Sequence, residues 1–165
     1  MTIYRPVREK IRNLKADYDR LKRGKESLLK LIEEAELPES VYNSNAIENS
    51  TLTLPDTEKI LLEMEISKKV SLREVFEAKN LARVMEYIAG KNKEELSESL
   101  MLRLHLMLMG NINDKIAGRF RQKNEFVRVG AFIALAPEHI GRKLEAAILD
   151  YTSDQDLYFL EKIAK

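Results

Sequence analysis

The residue pattern of this 165-residue chain points to an all-α fold carrying one small β-hairpin, and three observations support it. Apolar residues recur at three- and four-residue spacing along most of the chain, the period of helices with one buried face. Start signals, either a Ser cap or Pro in the first turn, stand ahead of these runs, with Gly or Asn behind them. One stretch alone, Gly118 to Gly130, has the alternation of a strand pair around a polar turn.

Taken in order, Ile11, Leu14, Tyr18, Leu21, Leu28 and Ile32 predict a long first helix over residues 1–34, regular from about Pro6 to Glu34 and weakened near its middle by Gly24. Pro38 opens a second helix as its first residue, running to about Glu48 before Asn49 and Ser50 break the pattern. Pro55 opens a third, ending near Ile66. Ser71-Leu72-Arg73-Glu74 is a capping box, and Val75, Ala78, Leu81, Ala82, Met85 and Ile88 then form one apolar stripe that stops at Gly90. Ser97 caps the next helix, with Leu100, Leu104, Met107 and Leu108 inward and Gly110 as its stop. In the hairpin, Phe120 precedes a polar turn and alternating residues follow it. Pro137 starts a helix through Leu149, and Ser153 starts a last one carrying Leu157, Leu160 and Ile163. That helix meets no Gly, Asn or Pro stop, so the expectation is a chain cut within a longer one.

Composition bounds the function. One domain over residues 1–165 follows from ~150 residues per domain, and 44% apolar with 33% charged residues excludes disorder and low complexity. Cysteine is absent, which removes disulfides, thiolate metal sites and cysteine nucleophiles, and two histidines are too few for a histidine metal cage. With Lys+Arg 28 against Asp+Glu 27, no charge excess favours nucleic acid, and no apolar run approaches a membrane span. The chain reads as cytoplasmic, with no nucleic-acid or membrane partner expected. Charge is nevertheless segregated: ten bases against four acids from Arg5 to Lys30, then nine acids against Lys59 from Glu33 to Glu65. The first block reads as a solvated helix face or, alternatively, as a nucleic-acid footprint.

The densest polar constellation is Ser44-Asn45-Ala46-Ile47-Glu48-Asn49. On a helix Ser44 and Glu48 share a face, so the hydroxyl is expected to bond the carboxylate and aim it at an arginine, while Asn49 takes the left-handed end position. By itself this is also what a helix end with one polar pair looks like. The longer run Tyr42 to Leu54, with its flanking Asn-Ser-Asn and Thr-Leu-Thr-Leu, resembles the N-terminal segment of Fic proteins that carries their inhibitory motif: Ser or Thr, three residues, Glu, then Gly or Asn. Glu77 to Ala89, Leu104-His105, and Ala117-Gly118-Arg119-Phe120-Arg121 with Val127 to Gly130 continue the resemblance in the family's order, from Val41 to the C-terminus.

The resemblance implies a Fic-like helical fold, with residues 38–49 as the inhibitory helix and 50–165 as the N-terminal part of the core, its flap at 118–130. Fic proteins are mainly adenylyltransferases that move AMP from ATP to a protein hydroxyl with magnesium, using a loop that joins a histidine base, an acidic metal ligand, a Gly-Asn-Gly nest and phosphate-binding arginines. That loop is not in this sequence. His105 to Asn113 copies part of its spacing, but Met109 stands where the carboxylate is needed, Ile112 where the nest needs glycine and Asn113 where an arginine belongs. His105 is expected to be structural and His139 exposed, so no catalytic and no metal-ligating residue is assigned.

What carries over is regulation and recognition. By resemblance, Ser44, Glu48 and Asn49 form the inhibitory motif, with Glu48 gating the ATP γ-phosphate. Arg119, Phe120, Arg121, Val127, Arg128 and Val129 form a flap that docks a target protein segment by strand addition; its arginines equally suit the protection of an exposed edge. The chain is thus expected to be the regulatory and target-docking portion of a self-inhibited adenylyltransferase, inactive alone. ATP and magnesium are expected only for the longer protein and no cofactor for this chain. The alternative is a non-enzymatic helical interaction module. Exposed apolar surface on the final helix is expected to favour a homo-oligomer.

Overall fold

A computed structural model describes residues 5–66, 69–90 and 94–153. Helices dominate: α1 (Arg5–Leu21), α2 (Glu26–Ile47), α3 (Leu54–Glu58), a π-helical turn (Lys59–Glu63), α4 (Leu72–Gly90), α5 (Glu98–Met109) and α6 (Pro137–Ser153). The strands β1 (Arg128–Val129) and β2 (Phe132–Ile133) pair antiparallel, with Arg128 opposite Ile133 and Val129 opposite Phe132. The chain divides into two compact units, residues 1–35 with 149–165, and residues 36–148.

The long first helix is corrected by Gly24. Its φ of +71° is left-handed and cannot continue an α-helix, so the chain turns over Lys22–Lys25. The Glu26 carboxylate accepts from the Gly24 N–H at 3.1 Å and closes that turn. The second expected start is corrected too, because α2 runs through Pro38 to Ile47. An interior proline forfeits one helix hydrogen bond, and burial of Pro38 together with Val41 offsets the loss. The third helix ends at Glu63 rather than Ile66: its last turn is π, and Met64 is left-handed at φ +59°. The wider turn places Ile60 in the core at 1% exposure.

Within residues 36–148 the core joins Val41 of α2, Leu52, Ile60 and the α4 residues Val75, Ala78 and Ala82, with Leu37, Leu61, Val70, Leu81 and Met85 packed around them. Two polar residues buried with it are satisfied internally. The Thr57 hydroxyl donates to the Thr53 carbonyl at 3.1 Å, and Asn80 Nδ2 donates to the carbonyls of Leu108 and Gly110 at 2.9 and 2.8 Å. Asn80 therefore fastens α4 to the end of α5.

Both expected caps form. The Ser71 hydroxyl accepts from the Glu74 N–H at 3.2 Å while Glu74 accepts from the Ser71 N–H, and the Ser97 hydroxyl accepts from the Leu100 N–H at 3.2 Å. The hairpin is displaced from its expected position. Residues 119–125 form a loop closed by the Arg119–Glu125 ion pair, and the strands turn at Gly130–Ala131, where Gly130 has φ +60°. The reason is local: the Arg119 guanidinium binds both Glu125 oxygens, at 2.7 and 2.8 Å, and draws the expected first strand into a loop. The helix expected from Ser153, with Leu157, Leu160 and Ile163, lies outside the described residues.

Candidate functional site

The polar constellation closes the C-terminal end of α2. The Ser50 N–H donates to the Asn45 carbonyl and the Asn49 N–H to the Ala46 carbonyl, both at 3.1 Å, with Asn49 left-handed at φ +64°. This is a Schellman end, and it sets Glu48 as the residue where helix gives way to turn. The expected Ser44–Glu48 bond does not form. The Ser44 hydroxyl instead donates back to the Ser40 carbonyl at 2.9 Å, a bond open to any helical serine.

Beyond the motif, Glu74 acts as a staple. One of its carboxylate oxygens accepts from the Thr51 N–H and hydroxyl, at 2.8 and 2.6 Å, and the other accepts from the Ser71 hydroxyl at 2.7 Å. The Thr51 and Ser71 hydroxyls and then the Thr51 N–H stabilise the ionised form, and they hold the carboxyl at about 2 against an ordinary 4.5. The segment that follows Glu48 is thereby fixed to the start of α4.

These parts surround a cleft of about 640 Å³. Asn45, Glu48 and Asn49 form one side, Arg73 and Glu77 another, and Leu108, Met109 and Ile112 at the end of α5 an apolar wall. Arg73 pairs with Glu77 at 2.8 Å. Glu48 is exposed and its carboxylate makes no hydrogen bond or ion pair among the described residues, and Asn45 Nδ2 is buried without a partner. The cleft thus offers an unpaired carboxylate on an anchored backbone and an unsatisfied donor, which suits a cationic group such as a guanidinium beside a hydrogen-bond acceptor. Among the described residues no group of three or more His, Asp or Glu converges to hold a metal.

Met109 and Ile112, which disqualify the false nucleotide motif, are cleft wall. His105 sits half-buried on α5, facing a separate apolar groove of about 1000 Å³ bounded also by Phe120, Phe126, Leu135 and Leu144. His139 is exposed in the first turn of α6.

Of the expected flap residues, Arg128 and Val129 are in β1, and Val127 extends the ladder by accepting from the Ala134 N–H at 2.9 Å. Arg119, Phe120 and Arg121 lie outside the strands. Arg119 is committed to Glu125, which its guanidinium, with the Gln122 N–H, holds at about 2. Arg121 donates to the carbonyls of Glu125 and Leu135, at 3.2 and 2.6 Å, and so ties together the two legs of the hairpin. The strand residues Val129, Phe132 and Ile133 are all exposed.

Comparison with known proteins adds to this geometry. Over 129 residues, 76% of this chain, the sequence is 29% identical to protein adenylyltransferase fic-1 of Caenorhabditis elegans and equally to that of Caenorhabditis briggsae. Over that stretch this chain is similar in sequence to Fic proteins. It spans 25% of the length of those curated relatives, and no protein-family model matches it. Its fold is that of solved Fic structures. The C. elegans Fic-1 structure superposes with TM-score 0.76 at 23% identity, over 94% of this chain and 46% of that one. A Fic domain-containing signaling protein of Bacteroides thetaiotaomicron superposes with TM-score 0.72 at 24% identity, over 88% and 57%. The all-α fold with one small two-stranded sheet is the Fic helical fold.

Glu74 and Asn80 were not singled out from sequence as parts of the site. The Ser71–Glu74 capping box was legible, but its second partner, Thr51, is brought in by folding.

Proposed function

We propose that this chain is the regulatory and target-docking portion of a self-inhibited Fic-like protein adenylyltransferase, whose longer form transfers AMP from ATP to a protein hydroxyl. The observation that carries the reading is Glu48, an unpaired carboxylate on a backbone held by the Schellman end before it and the Glu74 staple after it. Such a group is preorganised to engage an arginine, and an arginine so engaged is withdrawn from the ATP γ-phosphate. Asn49 serves by taking the left-handed position of the helix end that sets Glu48 in place, and Ser44 lines the same cleft.

ATP and magnesium belong to the longer protein under this reading. The target segment adds as a strand along the exposed edge of 127–129, and Arg119 and Arg121 hold that edge in shape rather than touch the target. A cytoplasmic location is part of the same proposal; among the described residues no helix is long and apolar enough to cross a membrane.

The test uses labelled ATP and magnesium. No AMP transfer is expected from the 165-residue chain. In a protein extended to the length of its relatives, Glu48→Gly is expected to raise transfer on the order of ten- to a hundredfold, the scale of one charge-assisted pair. Equal transfer with and without Glu48 refutes the gate, and no transfer from either extended protein favours the interaction-module alternative.

A further inference from the structure

We infer that the apolar groove between α5, the loop at residues 119–125 and α6 takes part in target docking, and that the segment it accepts is acidic around one bulky apolar residue. The groove, of about 1000 Å³, runs from Met101 and Leu102 on α5 to Ile140 and Leu144 on α6. Phe126 and Leu135 line it as well, and Phe126 is 62% exposed. A concave apolar surface of this size, with a phenylalanine left open to water, is the mark of a binding site.

Charge decides what the groove takes. Its charged lining consists of Arg119, Arg121, Glu125 and Lys143. The Glu125 carboxylate is matched by the Arg119 guanidinium, which binds both of its oxygens. Arg121 donates to two neutral carbonyls, those of Glu125 and Leu135, so it is held in place without an ion pair. Lys143 makes no hydrogen bond or ion pair among the described residues. Two positive charges thus border an apolar groove with no carboxylate left to answer them. The surrounding sequence has the same sign: from Gly118 to Ile148 there are six bases against three acids, and Glu138 and Glu145 do not line the groove. A ligand that brings carboxylates to the rim and an apolar side chain to the floor satisfies both features, whereas a basic ligand is repelled.

Position in the fold makes that ligand a peptide. Val127 lines the groove and, by accepting from the Ala134 N–H, belongs to the hairpin ladder. A segment added at the edge of 127–129 is therefore led along the groove, with its main chain on the strand and side chains over the apolar floor. A fatty acid or an anionic lipid surface meets the same charges but has no main chain for the edge to hold. The inference rests on the target-docking reading and narrows it to a class of target; it needs neither Glu48 nor AMP transfer.

The test is fluorescence anisotropy of two labelled decapeptide pools titrated with the 165-residue chain. Each pool has a fixed central Phe, and its other positions mix Ser and Thr with Asp and Glu in one pool, and with Lys and Arg in the other. The acidic pool is expected to bind tighter on the order of tenfold or more at low salt, a preference that shrinks in about 0.5 M sodium chloride. Lys143→Glu is expected to cut the preference on the order of tenfold, with Lys143→Gln between it and the parent. Phe126→Ser is expected to weaken the acidic pool on the order of tenfold. Both side chains are exposed, and an unchanged melting temperature shows that each variant folds. Equal binding of the pools, tighter binding of the basic pool, no effect of Lys143→Glu or of Phe126→Ser, or binding of dodecanoate or phosphatidylserine vesicles without either pool overturns the inference. If Glu48→Gly still raises AMP transfer in the extended protein, such a result removes this surface and leaves the gate standing.

Discussion

Two residues show how single positions tie the cleft and the flap approach to the fold. Gly118 has φ +70°, and a Cβ there would lie 2.9 Å from Leu106 Cβ on α5. Backbone conformation and space both exclude a side chain, so Gly118→Ala is expected to cost roughly 1–3 kcal/mol, read as a shifted midpoint in urea unfolding. Asn80 is the polar counterpart. With its amide donating to two carbonyls at the end of α5, Asn80→Ala leaves both acceptors without their donor and is expected to cost about 2–3 kcal/mol in the same measurement. Asn80 lies off the apolar stripe that the sequence of α4 shows, so nothing local marks its burial, and its partners, 28 and 30 residues away, arrive only when α4 meets α5.

At the scale of elements, the informative case is α2. Pattern alone reads Pro38 as a beginning, because proline is welcome in a first turn and costly inside a helix. Packing reverses that preference, since the buried ring of Pro38 and the fully buried Val41 supply what the missing hydrogen bond does not. The end of the same helix was legible, since Asn tolerates the left-handed position better than most residues and the polar run 48–50 follows. Its anchoring depends on Glu74. The carboxyl of Glu74 is held at about 2, below its ordinary 4.5, so its contribution to stability is complete above about pH 4.5 and is lost as pH falls towards 2. The melting temperature is therefore expected to drop across that window, with Glu125 contributing in the same direction. Glu74→Gln is expected to be less stable than the parent at pH 7 and to show a shallower loss between pH 4.5 and 2. A variant whose acid limb runs parallel to the parent's would remove Glu74 from this role.

Across the whole molecule, burial is uneven. Residues 36–148 hold the clustered core, while α1 buries nothing. Native-state hydrogen exchange is expected to reflect this: amides in the middle of α4 exchange only through global opening, and those of α1 exchange fast. Slow α1 exchange would contradict that division. The all-α class, the two capped helix starts and the left-handed end at Asn49 were determined by sequence alone, because each depends on periodicity or on contacts within a few residues. The break at Gly24 was half-legible: the glycine marked a weak point, and only its left-handed conformation made the weak point a turn. Tertiary structure decided what needs distant partners. It carried α2 through Pro38, moved the hairpin turn to Gly130 once Arg119 had found Glu125, and joined Thr51 to Glu74. Chain closure brings those groups together, and no local pattern encodes which distant carboxylate a hydroxyl or guanidinium will meet.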